Sequence, residues 1–338
     1  MVTIREVARA AGVSPSTVSR CFTQPEIVEA ATRERVLRMA THLDYRPNRA
    51  ARGLITGRTG NLGLLLPDLA NPFFPSIVKG IQHQAHLAEY QVFVVDTDED
   101  PTVELGLVRS LAKQVDGMIL CSPRMRPAEL AEAATISPTV LVHRRAGGLP
   151  SVAIDNGDAM RQAVDHLATL GHEHIGFVSG PRRSWSGRQR LAGIHKAAAA
   201  HGITLDEIGH FAPTPEGGKA AAEGVLLSGV TAVVTYNDLI GLGLLNALRQ
   251  QGVDVPGQIS IVGTDDIPMS AMVQPALTTL SVPKEQSGRM AVDLLLHVLD
   301  HRTSRAPRAP RAETITCQLT VRQTTAPPNQ RAAQRTPA

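Results

Sequence analysis

Residues 1–60 hold ten Arg and no Lys against five acidic side chains. Within this basic stretch, two short amphipathic segments flank a glycine. Thr3, with Glu6 three residues later, has the form of a capping box, and apolar residues follow at Ile4, Val7, Ala8 and Ala11. Gly12 stands where a helix ends in left-handed geometry. Ser14-Pro15 then pairs an N-cap with a first-turn proline ahead of Val18, Cys21 and Phe22. Two short helices joined by a glycine-containing turn in a basic segment predict a helix-turn-helix, whose chemistry is the recognition of double-stranded DNA. A small helical core without a nucleic-acid role would show the same spacing.

Other chemistry-bearing residues lead nowhere comparable. Gly241-Leu-Gly243-Leu-Leu-Asn246 lacks the third glycine of a dinucleotide fingerprint and falls inside a helical stretch. His172 and His174 are two apart at a strand start, on opposite faces, with no third ligand at metal spacing. The acidic run Asp96–Asp100 lacks the spacing of an EF-hand loop. Cys21, Cys121 and Cys317 are too scattered for a disulfide framework or a compact metal site. There is no Walker A or GxSxG sequence, and no nucleophile–base pair can be nominated. The reading is therefore of a binding protein rather than an enzyme, with no cofactor and no metal.

The elements that must position these residues change character along the chain. A third helix after Gln24-Pro25 would present Val36, Ala40 and Leu43, and Pro47 closes a headpiece over 1–47. Residues 48–60, basic and dotted with Gly53, Gly57 and Gly60, read as a hinge or linker. From Leu62 onward, short apolar runs alternate with amphipathic segments. The runs are 62–66, 92–95, 117–120, 140–142, 152–154, 175–178, 232–235 and 259–262; helical stretches include 74–89, 160–170, 190–201 and 239–250. Such alternation indicates βαβ units around parallel sheets, and about 260 residues of it suits two α/β lobes rather than one small sheet. The expected core is 61–323, with an N-lobe of about 61–156 and 284–315 and a C-lobe of about 157–283. Residues 302–312 read as a loop, and the polar, proline-rich 324–338 as a disordered tail.

Charge follows the same divisions. The net +3 of the 338 residues hides +5 over 1–60 and +6 over 302–338, leaving an acidic middle at −8. No apolar stretch approaches the roughly 18 residues needed to cross a bilayer. Arg5, Glu6 and Arg9 interrupt the place of a signal-peptide core. The expected setting is thus cytoplasmic, with association to the nucleoid and none to membranes.

The residues themselves narrow the class. Thr3-Ile4-Arg5-Glu6-Val7-Ala8, Ala11 through Arg20 and Tyr45-Arg46-Pro47-Asn48 closely resemble the headpiece of the lactose-repressor (LacI/GalR) family of bacterial transcriptional regulators. Ala50-Ala51-Arg52-Gly53-Leu54 looks like that family's hinge helix. Gly63 through Asp68, Asn71-Pro72-Phe73-Phe74, Asp116-Gly117, Leu170-Gly171-His172, Asn237-Asp238, Gly263-Thr264-Asp265-Asp266 and Leu277-Thr278-Thr279 look like its effector domain. The resemblance runs in the family's order from residue 2 to about 325. It implies an all-α helix-turn-helix headpiece and a two-lobed core like the periplasmic binding proteins.

Carried over residue by residue, it also implies where DNA is touched. A recognition helix beginning at Ser14 would bring Pro15, Ser16 and Arg20 to base edges in the major groove. Arg20 can bridge guanine O6 and N7 with two hydrogen bonds, whereas Pro15 offers only apolar contact. Thr3, Ser14, Thr17, Ser19 and Asn48 are short donors suited to phosphates. Leu54, with Ala51 one turn before it, would wedge into the minor groove from a hinge helix too short to be stable alone. That hinge is expected to fold on operator binding.

The family's effector lies between the lobes, at the carboxyl ends of strands. There Asn71, Phe73 or its neighbour Phe74, Asp155, Arg190, Asn237 and Asp265 match ligand contacts, and Trp185 could close the pocket. Many sugar-binding relatives have Asp-Arg where this chain has His143-Arg144, so the ligand is a monosaccharide, a nucleoside, a phosphorylated sugar or another small polar molecule. The reading that follows is an effector-responsive DNA-binding regulator, a repressor, acting as a homodimer. A transporter's solute-binding protein and a Rossmann-type enzyme are the alternatives; the headpiece weighs against the first and the missing phosphate loop against the second.

Overall fold

The structure, a computed structural model, describes residues 2–45, 58–301 and 311–329. They fall into two compact units that divide after Gly60. Asn48, Ala51, Leu54 and the rest of the expected hinge helix lie outside the described residues, as do most of the basic 302–312 segment and residues 330–338.

The first unit is helical. Its helices span Ile4–Ala11, Pro15–Thr23 and Ala30–His42, with a short 3₁₀ turn at Pro25–Ile27. The capping box forms: Glu6 Oε2 accepts from the Thr3 backbone N–H at 2.7 Å and from its hydroxyl at 2.8 Å. Gly12 ends the first helix at φ 65°, a left-handed conformation that glycine adopts without the penalty a Cβ would bring. Ser14 then caps the second helix, its Oγ accepting from Thr17 N–H at 3.1 Å, with Pro15 at the first helical position. Val7, Ala8, Ala11, Val18, Cys21, Val36 and Ala40 close a small core, and Arg35 Nε–H donates to the Ala11 carbonyl to tie the third helix to the first.

The second unit holds two six-stranded sheets. The strands are β1 Asn61–Leu66, β2 Gln91–Asp96, β3 Gly117–Cys121, β4 Thr139–Val142, β5 Ser151–Ile154, β6 His174–Ser179, β7 Thr204–His210, β8 Ala232–Thr235, β9 Ser260–Asp265, β10 Thr278–Ser281, β11 Ala312–Ile315 and β12 Gln318–Thr320. The first sheet has the order β11-β5-β4-β3-β1-β2 and is parallel throughout; the second has the order β12-β10-β9-β8-β6-β7, antiparallel only at β10 with β12. All eight apolar runs are strands. In seven of them the continuous hydrophobicity reflects burial on both faces, with helices on both sides of each sheet; β2, at the edge of the first sheet, is only half-buried and leaves Phe93 exposed.

The chain passes between the lobes three times: after β5, after β10, and between β11 and β12. The helix Lys284–His301 returns from the second sheet to pack against Phe73–Leu87 and the first sheet. These two helices approach at glycines: a Cβ on Gly80 would sit 2.2 Å from the Glu285 carbonyl oxygen, and one on Gly288 2.4 Å from that of Ile77.

Two expectations change. The expected loop 302–312 ends earlier, because Ala312 already opens the strand Ala312–Ile315, paired to β5. Residues 324–329, read as disordered tail, are packed on the second lobe. Thr324 is fully buried; its hydroxyl donates to the Ile261 carbonyl and accepts from Thr278 N–H, while Ala326 exchanges bonds with Ser260. Side-chain hydroxyls meeting an open backbone edge hold this polar segment where composition alone predicts none.

Candidate functional site

The headpiece presents the N-terminal turn of its second helix outward. Thr3, Ser14, Pro15, Ser16 and Arg20 are exposed, and Thr17 and Ser19 are half-buried. The same amphipathic spacing that buries Val18 and Cys21 directs Ser16 and Arg20 to the opposite side. The Ser14 hydroxyl lies 2.8 Å from that of Ser16 and 2.9 Å from that of Thr17, so the turn carries a compact group of hydroxyls at the helix N-terminus. Arg20 has no ion-pair partner among the described residues. The second helix thus carries exposed hydroxyls at its first turn and the exposed Arg20 guanidinium one turn further on.

The second site is a narrow cleft in the larger unit, with a volume of about 30 Å³. It is built at the carboxyl ends of strands of both sheets. Asn71 and Phe73 follow β1; Glu99 follows β2; Ser122 and Arg124 follow β3; His143 follows β4; Tyr236 and Asn237 follow β8; Asp265 ends β9. Phe73 and Phe74 both line it, their rings edge to face at 5.2 Å, and Phe73 also leans on His143 at 5.4 Å between centroids.

Charged groups in the cleft come in opposed pairs. Arg124 makes a two-pronged contact with Glu99, Nε to Oε2 at 2.8 Å and Nη2 to Oε1 at 2.9 Å. Arg190, 4% exposed, donates from Nε to Asn156 Oδ1 at 3.1 Å and from Nη1 to the Tyr236 carbonyl, and lies 3.7 Å from Asp265 Oδ1. Its guanidinium also sits over the Tyr236 ring at 5.1 Å. Burial raises the Asp265 carboxyl above its usual range, a rise that Arg190 and Lys284 oppose. Burial, with Arg190 and Lys284 nearby, drives His143 down to about 3, so its imidazole is neutral at ordinary pH. Asp265 and Asp266 both have positive φ, and Lys284 Nζ holds their carbonyls at 2.5 and 2.9 Å.

Several polar groups also build the walls. Asn71 Oδ1 accepts from Phe73 N–H at 3.0 Å. Asn237 caps the helix Asp238–Gln250, its Oδ1 accepting from Ile240 N–H, while its Nδ2 donates to the Pro213 carbonyl. Beneath them Asp238, wholly buried, accepts from Thr279 and Ser270 hydroxyls and from Ile267 N–H.

Seven residues singled out in the sequence come together here: Asn71, Phe73, Phe74, His143, Arg190, Asn237 and Asp265. Three do not line the cleft. Asp155 is the N-cap of the helix Asn156–Thr169, accepting from Asp158 N–H at 3.0 Å. Arg144 turns away, donating to the Pro123 carbonyl. Trp185 opens the helix Trp185–His201 half-buried, and its neighbour Ser186 lines the cleft instead, its hydroxyl donating to the His143 carbonyl at 2.9 Å. Sequence reasoning missed Glu99, Ser122, Arg124 and Tyr236. Each lies within three residues of a strand's carboxyl end, which is the signal that could have found them.

Known proteins share this organisation. The family model described as "Bacterial regulatory proteins, lacI family" matches residues 3–48, and that described as "Periplasmic binding protein-like domain" matches residues 164–325. Catabolite control protein A of Streptococcus mutans is 35% identical over 309 residues, covering 88% of this chain and 92% of its own length. The structure of the lac repressor dimer bound to operator and the anti-inducer ONPF superposes with a TM-score of 0.85 at 28% identity, over 96% of this chain and 99% of that one. A complex of the transcriptional regulator CelR with cellobiose superposes with a TM-score of 0.70 at 30% identity, over 96% of this chain and 100% of that one.

Proposed function

The chain belongs to the LacI family of bacterial transcriptional regulators, and from that premise we propose that it is a repressor whose operator affinity is set by a small polar effector, a sugar or related molecule, bound in the cleft. The observation that carries this reading is the exposed turn Ser14–Arg20 on a capped, well-packed helix. Ser16 and Arg20 read bases in the major groove, Arg20 by two hydrogen bonds to guanine. Thr3, Ser14, Thr17 and Ser19 bind phosphates and fix the register. Asn48, Ala51 and Leu54 extend the interface along the hinge.

Two chains act together as a homodimer, as in the lac repressor dimer on its operator. Their headpieces read half-sites about one helical turn apart. The effector is enclosed by Phe73, His143, Arg190, Asn237 and Asp265, with Arg124, Glu99 and Tyr236 added by the geometry. It couples to DNA because the two lobe arrangements differ in affinity for it, a coupling of about 1–3 kcal/mol in such systems. The protein is a binding protein with no catalytic role, acting in the cytoplasm on nucleoid DNA.

The test is an electrophoretic shift with DNA from upstream of the protein's own gene, with and without ribose, cellobiose, cytidine and glucose 6-phosphate. A sequence-specific shift altered by one of these supports the reading. Absence of any sequence-specific shift refutes it.

A further inference from the structure

We propose that His143 presents its Nδ1 lone pair to the cleft, so that the effector must donate a hydrogen bond, from a hydroxyl or an N–H, at that point. This deepens the effector reading above and rests on it. A hydrogen-bond relay holds one side of the ring. His143 Nε2 lies 3.2 Å from Ser287 Oγ, and the Ser287 hydroxyl lies 3.2 Å from the Pro283 carbonyl oxygen. Pro283 O can only accept, and a serine has a single O–H. With that proton directed to Pro283, the one turn-back bond open to a hydroxyl in the first turn of the helix, Ser287 Oγ can only accept from His143. Nε2 therefore carries the imidazole proton, and Nδ1 is bare.

The surroundings favour the same tautomer. His143 is 2% exposed, and Nδ1 has no partner among the described residues. A buried N–H without an acceptor is costlier and rarer than an under-used lone pair. The imidazole lines the cleft and leans, tilted, against Phe73. An uncharged acceptor thus stands at the cleft wall, oriented by Ser287 as a positioning residue. A phosphate or carboxylate oxygen, which only accepts, meets a lone pair there, so any anionic group of the ligand must lie elsewhere in the cleft.

Two measurements test this on the full-length protein. Long-range ¹H–¹⁵N spectra of the histidine rings, with His143 assigned through His143→Gln, report which nitrogen is protonated without any effector. The expected pattern is a protonated Nε2 and a bare Nδ1 in the wild type, shifting toward a tautomer mixture in Ser287→Ala. A protonated Nδ1 in the wild type, or no change in Ser287→Ala, overturns the proposal. The second measurement is a thermal-shift and calorimetric series on D-ribose and D-glucose, with each hydroxyl replaced in turn by fluorine, which keeps size and accepting power but cannot donate. One position should lose about tenfold or more in affinity. Equal binding of every fluoro-sugar by the wild type overturns the proposal. If neither parent sugar binds, the sugar reading of the effector fails, and the tautomer spectra alone decide the orientation of His143.

Discussion

Replacing Arg190 by Met is the sharpest probe of the cleft's electrostatics. Met keeps an unbranched stem of similar reach, so the cavity penalty is small and the loss is of charge and hydrogen bonds. Arg190 and Asp265 are each 4% exposed, with Nη2 and Oδ1 3.7 Å apart. At an effective dielectric of about 20, Coulomb's law gives roughly 4–5 kcal/mol for that separation. Breaking a buried pair by removing one partner typically costs about 3–5 kcal/mol, which agrees. The bonds to Asn156 and the Tyr236 carbonyl vanish as well. Where Asp265 is ionised, above its raised folded value of about 8, the expected destabilisation of the effector core is therefore about 4 kcal/mol in urea unfolding, in a double-mutant cycle with Asp265→Asn.

The pH dependence supplies an independent sign. The Asp265 carboxyl is raised in the folded state, so native protein holds more protons than unfolded protein above the ordinary Asp range. Its contribution to stability is present at low pH and lost as pH rises through the folded value. Arg190 opposes that rise, so without it the carboxyl moves higher still. Arg190→Met should accordingly cost most above pH 8, where the wild-type carboxyl ionises and the variant's does not, and least near pH 5, and Asp265→Asn in the same background should flatten the difference. Additive single mutants, with coupling below about 0.5 kcal/mol, or a penalty that grows on acidification, would refute the pairing.

Three further outcomes follow from the same physics. Arg20→Ala should lower specific operator affinity by about 1–3 kcal/mol, leaving sugar binding and core melting unchanged in parallel gel-shift and calorimetric assays; equal loss of both would break the modular picture. His143 titrates near 3 when folded against its ordinary 6.5, so its native state cannot take up the proton its unfolded state binds. Acidification from about pH 6.5 to pH 5 should therefore cost about 2 kcal/mol at that site, seen as a shallower pH slope of unfolding free energy in His143→Gln. Thr324→Val removes a buried hydroxyl that both donates and accepts; a loss of about 1–3 kcal/mol in urea unfolding shows that the C-terminal segment belongs to the folded core, and no loss would contradict its packing.

What the sequence discloses depends on how much of each element is buried. Seven of the eight apolar runs could be read because parallel strands covered on both faces need continuous hydrophobicity; β2, at a sheet edge, could be read because its Val-Phe-Val-Val run is apolar although half-buried. β7 could not: Thr204–His210 is an edge strand, polar at Asp206 and Glu207, with a bulge where its register against β6 shifts. The short Thr-rich β10 and the strands β11 and β12 are fixed by pairing partners far away in the chain, which no local pattern records. The cleft divides similarly. Phe73, Arg190 and Asp265 stand in recognisable motifs, whereas Glu99 and Arg124 find each other only through the parallel pairing of β2, β1 and β3. Trp185, on the segment before Arg188 and Arg190, does not line the cleft; Tyr236 does, and its hydroxyl meets that of Ser184 at 3.0 Å.

The Gly241-x-Gly243 sequence shows how a phosphate-loop resemblance arises from packing. Both glycines lie inside the helix Asp238–Gln250, which crosses Pro215–Ser228. A Cβ on Gly243 would fall 1.9 Å from the Pro215 carbonyl oxygen, and one on Gly218 of the facing helix 2.1 Å from that of Ile240. The obstruction is backbone on both sides, so no side-chain rotation relieves it. Gly243→Ala should gain up to about 1 kcal/mol of helix propensity, yet overpacking of this kind costs about 1–3 kcal/mol, and a clash with rigid backbone belongs at the upper end. Net destabilisation of about 1–2 kcal/mol is expected in urea unfolding, since moving one helix would also displace the Asn237 cap that lines the cleft. Gly106, on the helix Glu104–Leu111 with nothing within 4 Å of its Cβ position, is the control: Gly106→Ala should stabilise. If Gly243→Ala also stabilised, the two helices would not be in the close contact that makes these glycines necessary.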